Sequence, residues 1–391
     1  MTVSTKKEQK LRSFDMVRYH RLFWYICAIR PVSPKVGTWT RNLYKCYQVL
    51  FHVFISVYYP GSLVVGLFGV KSVRLILENL AMNFTMGMCT VKLYYIWSNM
   101  EGLERCKLIS DQMDEKAKSH PDEFAILSAL KKKVRVLMAP YLFLYTGVCT
   151  TALLGVFFNA EKRLIYPAYF PFDWKANNMV YGAVMVYQWV GLASQAYTNL
   201  VNDTFIPLVM CLLTHHLQVL SLRISKIGDD FKKSKKDNHE ELRIAVKDHK
   251  QILEFYNVLS KTASPVMLGM FLITGSNMCT SLILILFYAE NLLQKLYFTV
   301  YGTAMPLQIY LACYYGTAFQ EECDNLTKAI FACNWVEQTK EFTKDLRIFL
   351  QNSLRKFQFT AGGVMVISLN GFLQVMKSTY SLFAVLNQMR E

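Results

Sequence analysis

The sequence predicts an all-α integral membrane protein with seven transmembrane helices. Of its 391 residues, 53% are hydrophobic and only 18% are charged, a balance that is unusual for soluble domains. The charges are also confined to blocks between long uncharged runs, whereas surface helices of a soluble protein carry charges throughout. Both observations make membrane lipid the expected surrounding of the chain.

Five uncharged runs are long enough to cross the hydrocarbon core, which takes about 20 residues at about 1.5 Å per residue. In chain order they are Cys46 to Val70 (S1), Val136 to Ala160 (S3), Ala176 to Asn202 (S4), Thr262 to Ala289 (S5) and Leu296 to Gln320 (S6).

Two further runs are apolar but contain charge. Leu75 to Trp97 (S2) holds Glu78 and Lys92 near its ends, where charged side chains can snorkel to the interface. Phe357 to Met389 (S7) is interrupted only by Lys377. A lysine in the middle of a span is not explained by snorkelling. The predicted number of spans is therefore seven.

The positive charges predict a cytoplasmic N-terminus and an extracellular C-terminus, because Lys and Arg are retained in the cytoplasm. Residues 1–41 carry nine Lys or Arg against Glu8 and Asp15, and the S2-S3 and S4-S5 connections are also long and basic. This bias accounts for the net charge of +15, so no nucleic acid is expected as a partner. No apolar segment precedes S1, which predicts that S1 itself directs insertion.

The spans divide the chain into four regions. Residues 1–41 are expected to lie along the inner membrane interface, and residues 42–318 hold S1 to S6. S4 keeps its helical pattern to about Leu222 and S5 begins early, so both should protrude into the cytoplasm. Residues 319–358 predict short amphipathic helices that complete a cytoplasmic anchor domain, and residues 359–391 form S7.

S7 carries a stripe of mainly polar residues. Such a stripe must face protein or water. Two interpretations are open: a hydrogen-bonded seam within one bundle, or the lining of a pore shared by several subunits. In a pore, Val385 would form an apolar gate and Gln388 a polar ring. The stripe consists of Asn370, Gln374, Lys377, Ser381, Val385 and Gln388, at successive spacings of 4, 3, 4, 4 and 3.

Lys377 constrains the pore interpretation. A ring of four lysines would repel cations, and each pair would cost on the order of 1 kcal/mol or more. A homomeric cation channel should therefore conduct badly, and partner subunits that lack this lysine are expected.

A small apolar cavity is predicted in the outer halves of S2 to S6. These halves are rich in aromatic, Met and small residues with few charges, which suits an uncharged volatile ligand. Packing against lipid or between helices explains most of the same residues equally well. The candidate lining residues are Phe84, Met88, Tyr145, Cys149, Leu153, Tyr187, Gln188, Tyr297 and Tyr301.

Enzyme chemistry has no foundation in the sequence. No phosphate-binding glycine loop, Gly-x-Ser-x-Gly or paired CxxC occurs. His215 and His216 are adjacent and face different sides of a helix, so they form a poor metal pair. Asp203, at the end of S4, is expected to make a structural ion pair or hydrogen bond in preference to an ion site. No cofactor, metal or disulfide is expected.

The sequence from Gln308 onward carries a distinctive pattern. It contains the segments YYGTAFQEECDNLTKAIFACNWVEQ, FTKDLRIFLQNS, TAGG and SLNGFLQVMKSTYSLFAVLNQ, and S4 contains NDTF at 202–205. These segments resemble insect odorant receptors.

The resemblance implies a tetrameric, ligand-gated, non-selective cation channel in which a variable odorant-binding subunit assembles with the coreceptor Orco. It implies an odorant pocket in the outer half of S2 to S6, a pore on S7 with its gate and glutamine ring at Val385 and Gln388, and a location in the plasma membrane of an olfactory neuron dendrite or cilium. Lys377 and the lack of a long S4-S5 insertion depart from the coreceptor, so the resemblance is to the tuning subunit.

Other membrane protein classes fit less well. A G-protein-coupled receptor needs the opposite topology and two motifs that the chain lacks. In the related gustatory receptors a Gln follows the Thr-Tyr tyrosine by six residues, whereas Tyr380 and Gln388 are eight apart. A transporter would show inverted repeats or discontinuous helices.

Overall fold

The computed structural model describes residues 12–29, 36–157 and 162–388, and these are almost entirely helical. The helices are α1 (Arg18–Ile26), α2 (Thr38–Phe51), α3 (Tyr59–Phe68), α4 (Val73–Ser98), α5 (Met100–Ala117), α6 (Pro121–Phe157), α7 (Asn178–Ser225), α8 (Lys235–Ile283), α9 (Leu292–Ala332), α10 (Lys340–Ser353) and α11 (Leu369–Gln388). The two strands are β1 (Thr360–Ala361) and β2 (Met365–Val366), which pair antiparallel. Parts of the predicted segment 1–41, the end of S3 and the end of S7 lie outside the described residues.

Each predicted span falls on a helix. S1 corresponds to α2 and α3, which a π-helical turn (His52–Tyr58) joins, and S2 to S7 correspond to α4, α6, α7, α8, α9 and α11. By length and composition alone, four helical stretches among the described residues qualify as membrane spans. These four overlap S1, S3, S4 and S5, whereas the described helices of S2, S6 and S7 do not meet this criterion.

The predicted long extensions of S4 and S5 are present. α7 has 48 residues, about 70 Å at 1.5 Å per residue. α8 begins at Lys235 with a capping box, in which Ser234 accepts a hydrogen bond from the backbone of Asp237. Further along α8, His249 packs edge-on against Phe349 of α10, with ring centroids 5.2 Å apart. Burial lowers the pKa of His249 to about 4, so this imidazole packs against Phe349 in its neutral form.

The helix α1 packs against the bundle. The Trp24 indole is 2% exposed and donates a hydrogen bond to the Asn202 side chain at 3.3 Å. His20 lies 2.9 Å from the hydroxyl of Thr204. α1 is therefore fixed to α7 and does not simply lie along the membrane interface.

The helix of S7 begins at Leu369 and not at Phe357, as the hydropathy indicates. The preceding residues form the β1-β2 hairpin, whose turn uses Gly362 at φ +59° and Gly363 at φ +71°, a conformation that glycine adopts without strain. Phe359 is 0% exposed. The apolar character of this segment thus reflects burial in protein, which hydropathy cannot distinguish from contact with lipid.

The hairpin places α11 firmly against α9. A Cβ at Gly316 would lie 2.0 Å from the carbonyl oxygen of Ile367, so only glycine permits this approach. One residue later, the Thr317 hydroxyl accepts a hydrogen bond from the backbone N–H of Leu369 at 2.9 Å. The start of α11 is therefore fixed by two consecutive residues of α9.

Candidate functional site

A buried ion pair lies in the interior of the helical bundle. Lys92 of α4 pairs with Asp203 of α7, and their side chains are 2% and 0% exposed. The Lys92 ammonium also donates to the Asn199 side chain at 2.8 Å, while the Tyr145 hydroxyl donates to Asp203. Charges in such surroundings are tolerated only when paired and hydrogen-bonded. The structural ion pair predicted for Asp203 is confirmed, whereas the prediction that Lys92 snorkels to the interface is wrong.

Two of the predicted pocket residues belong to this interior region. Tyr145 is bound to Asp203, and Met88 is 5% exposed and lies against Gly269, where an added Cβ would come within 2.7 Å of its sulfur. Both are tightly packed, so they do not line a cavity with the other candidates.

Five other candidates come together at the end of the bundle that is predicted to be extracellular. Tyr297 of α9 is hydrogen-bonded to Tyr166, which lies in the segment between α6 and α7. Tyr297 also stacks on Tyr301, with ring centroids 6.2 Å apart. Cys149 and Tyr187 pack in the same group of side chains. We call this group the outer cluster.

The fifth candidate, Gln188, fixes the segment between α6 and α7. Its side chain is 1% exposed, donates to the carbonyl of Tyr166 at 2.9 Å and accepts from the N–H of Ile165 at 3.0 Å. Gln188 thus holds Tyr166 in place through the backbone.

Phe84 and Leu153 lie outside both groups. Phe84 is 46% exposed on the surface of α4, and Leu153 is half-buried on α6. The structure does not bring either residue into the outer cluster.

Three residues that form hydrogen bonds with Tyr297 or Tyr301, namely Tyr166, Thr85 and Asn277, are missing from the candidates that the sequence predicts. The Tyr301 hydroxyl lies 3.0 Å from the Thr85 hydroxyl and accepts from the Asn277 amide at 3.3 Å. Asn277 carries a polar amide within an otherwise apolar part of S5, and Tyr166 lies in an apolar segment (LIYPAYF) too hydrophobic for a solvated loop. These two signals were available in the sequence.

Two cavities adjoin the outer cluster. The inner cavity, of about 10 Å³, is lined by residues including Ala81, Met82, Ser281 and Tyr301, and its volume suits about one water molecule. The outer cavity, of about 340 Å³, opens toward the predicted extracellular side. It is lined by Arg74, Leu75, Glu78, Thr151, Ala152, Gly155, Val156, Lys162, Arg163, Leu164, Ile165, Tyr166, Pro167, Trp174, Lys175, Leu293, Gln294, Tyr297 and Phe298.

The two cavities share a wall that contains the Tyr166-Tyr297 hydrogen bond. Ligand pockets typically measure about 300–1,000 Å³. A small organic molecule therefore fits the outer cavity as it stands, and reaches the inner one only if this wall moves.

The stripe of S7 faces away from the rest of the chain. All of its members are exposed, from Asn370 to Gln388, whereas Gly371, Val375 and Thr379 are buried on the opposite face. Within the described ranges, no hydrogen bond or ion pair is made by the side chains of the stripe. The interpretation as a seam within one bundle is therefore wrong for this chain.

Comparisons with known proteins agree on one family. A family model described as 7tm Odorant receptor matches residues 72–380. Odorant receptor 59a of Drosophila melanogaster is 29% identical over 98% of this chain and 100% of its own length. Odorant receptor 33b of the same species is 25% identical over 98% of this chain and 99% of its own.

Solved structures show the same fold. The insect olfactory receptor OR5 from Machilis hrabei covers 96% of this chain and 100% of its own, with a TM-score of 0.77 and 14% identity. The same receptor in complex with eugenol covers 97% of this chain and 98% of its own, with a TM-score of 0.79 and 14% identity.

Replacing Lys92 by Met should strongly destabilise the protein, because Asp203 would be left as an unpaired buried charge, at a cost of about 3–5 kcal/mol. Thermal unfolding of the purified protein in detergent measures the effect. The double variant Lys92→Met/Asp203→Leu should recover part of the loss, because no charge then remains. The control is Lys261→Met, at an exposed position of α8. Equal stability of the Lys92→Met and double variants would contradict this account.

Proposed function

Because the chain belongs to the 7tm odorant receptor family, we propose that it is the odorant-binding subunit of a ligand-gated, non-selective cation channel, which assembles with the coreceptor Orco to detect volatile odorants. Family membership makes it a multi-pass membrane receptor and not an enzyme. The proposed location is the plasma membrane of an olfactory sensory neuron, at its dendrite or cilium.

The exposed stripe of α11 is the observation that carries the channel proposal. Amide, hydroxyl and ammonium groups facing hydrocarbon would be costly, and the stripe makes no polar contact within the described part of its own chain. One helix cannot enclose a pore, so several subunits must bring their α11 helices to a common axis. A tetramer satisfies this requirement, with each stripe facing water.

Two residues near the outer end of α11 are proposed to control ion passage. Val385 is 50% exposed and lies on the stripe, where a ring of valines would form an apolar constriction that closes by excluding water. Gln388, one turn beyond, would provide a neutral polar ring at which ions exchange hydration water. Gln374, Lys377 and Ser381 are proposed to line the pore further in.

The proposed role as tuning subunit rests on two departures from the coreceptor. Lys377 would place a positive charge in a cation pathway. Partner subunits without this lysine would reduce the number of positive charges around the pore. The link between α7 and α8 comprises only residues 226–234, which leaves no room for the long insertion expected of Orco.

The odorant is proposed to bind at the inner cavity of the outer cluster. Met82, Tyr297 and Tyr301 supply mainly apolar surface there, while Glu78 and Ser281 supply polar groups that could orient a ligand. Thr85 and Asn277 contact the Tyr301 hydroxyl. The complex of the Machilis hrabei receptor with eugenol supports a small organic ligand for a protein of this fold. Binding would require the Tyr166-Tyr297 wall to move.

The alternative from the sequence, a gustatory-receptor-like channel, has weaker support. The eight-residue separation of Tyr380 and Gln388 departs from that branch, and the relatives compared above are named as odorant receptors. A G-protein-coupled receptor, the less favoured alternative, would also leave the exposed stripe unexplained.

Expression with and without Orco tests the proposed function. Cells with both chains should give cation currents to members of a volatile panel, whereas this chain alone should give little current because of Lys377. Cells with Orco alone are the control for ligand dependence. Silence in all conditions, with both chains detected at the cell surface, would refute the channel proposal.

Replacing Lys377 by Gln should raise the cation conductance of the heteromer by up to about fivefold, the factor that corresponds to about 1 kcal/mol of repulsion. Single-channel recording measures the change. Lys295→Gln, at an exposed position near the start of α9, is the control for loss of a positive charge outside the pore. Unchanged conductance and ion selectivity would remove Lys377 from the ion pathway.

Replacing Tyr166 by Phe should lower the odorant concentration for half-maximal current by up to about tenfold. The variant lacks the hydrogen bond that must break before the inner cavity opens, and such a bond contributes about 0.5–1.5 kcal/mol. Concentration-response curves of the heteromer measure the shift. Tyr169→Phe, at a position that is 54% exposed, is the matched control. An unchanged or higher half-maximal concentration for Tyr166→Phe would contradict the gating role of this bond.

A further inference from the structure

We propose that the outer cavity is a binding site for small organic carboxylates, with the carboxylate held by Arg163 beside Arg74 and the apolar part of the ligand against the cavity wall. This inference deepens the proposed function and rests on it, since it assigns a charged ligand class to a second cavity of a receptor that is proposed to bind odorants at its inner cavity. The argument depends on the charge, the hydrogen bonding and the apolar lining of the outer cavity.

The lining of the outer cavity is strongly basic. Among the described residues it contains Arg74, Lys162, Arg163 and Lys175 but only one acidic residue, Glu78. The Arg74 side chain also lies near the N-terminus of α4, where the helix dipole is positive and disfavours a cation. The cavity therefore attracts anions.

Most of these cations already have partners. Arg74 lies 3.3 Å from Glu78 and 3.3 Å from Glu290. Lys162 donates to the carbonyl of Lys175 at 3.1 Å. The ammonium of Lys175 itself lies 5.1 Å from the centre of a ring of Trp174. Arg74 is thus held in ion pairs, although its own buried Nε makes no hydrogen bond among the described residues.

Arg163 differs from Arg74 in having no carboxylate partner among the described residues. It donates through Nη2 to the carbonyl of Gly155, but its buried Nε has no hydrogen-bond partner among the described residues. No carboxylate within the described ranges lies at ion-pair distance from it. Burial, and next the positive charge of Arg74, lower the pKa of Arg163. An anion beside Arg163 would favour the charged guanidinium, and so would offset both the burial and the repulsion from Arg74.

The shape and composition of the cavity favour a carboxylate over other anions. A guanidinium matches the two oxygens of a carboxylate with two parallel hydrogen bonds. Leu75, Leu293 and Phe298 offer an apolar surface beside the charged groups, which a hydrocarbon tail would cover. Glu78 in the same wall would repel a dianion such as phosphate more strongly than a singly charged ligand.

The test measures binding to the purified full-length chain in lipid nanodiscs by titration calorimetry, with hexanoate, methyl hexanoate and inorganic phosphate as probes. Hexanoate should bind, and Arg163→Gln should weaken its binding by about tenfold or more. Arg163→Lys, which keeps the charge but loses the bidentate geometry, should weaken it less. Lys295→Gln is the control, because it removes an exposed positive charge elsewhere on the outer side. This variant should bind hexanoate like the unaltered chain.

Three results would overturn the proposal. The first is equal hexanoate affinity in Arg163→Gln and the unaltered chain, when thermal unfolding measurements show that both proteins are folded. The second is phosphate binding as tight as hexanoate binding, which would indicate a general anion site. The third is loss of hexanoate binding when anionic lipid is added to the nanodiscs, which would assign the site to a lipid headgroup. The calorimetric test needs neither Orco nor a current measurement. Its outcome therefore does not depend on whether the channel proposal is correct.

Discussion

The ion pair of Lys92 and Asp203 is the constraint on which the arrangement of the helical bundle depends. Two charges in its interior are stable only if each meets the other and if nearby hydrogen-bonding groups complete their coordination. Asn199 and Tyr145 do so, and this requirement sets the rotation of α4, α6 and α7 about their axes. The same rotation determines which faces of these helices meet in the outer cluster. The proposed ligand region is therefore organised by a polar centre that lies outside it.

The C-terminal sequence pattern is explained largely by how α11 is held. Gly316 and Thr317 fix the start of α11 against α9, and the turn glycines of the hairpin set its direction. Just beyond the C-terminal end of α9, the backbone N–H of Asn334 donates to the carbonyl of Ile227 at 3.0 Å, next to Gly228 at φ +86°. The residues that carry the family resemblance thus connect α11 to the end of α7, which gives a continuous mechanical path between the anchor helices and the proposed pore.

Hydropathy predicted the seven helices well, because long uncharged runs leave few alternatives to a span. It failed at the start of S7, since an apolar segment buried in protein and an apolar segment facing lipid can have the same amino-acid composition. It also failed for Lys92, because its partner lies 111 residues away and local sequence carries no signal for such a contact. Helical periodicity correctly separated the two faces of α11, whereas it could not distinguish tightly packed side chains, such as Met88, from those that adjoin a cavity.

The segment between α6 and α7 has a consequence for the time course of signalling. Tyr166 lies in this segment and is held by Gln188 and Tyr297, so it covers the inner cavity without belonging to a helix of the bundle. A ligand bound beneath it would enter and leave by the same movement. Because the Tyr166-Tyr297 hydrogen bond is already broken in the bound state, a weaker cover would mainly speed the arrival of the ligand. Substitutions in a short surface segment can therefore set how fast a response begins, independently of the side chains that choose the odorant.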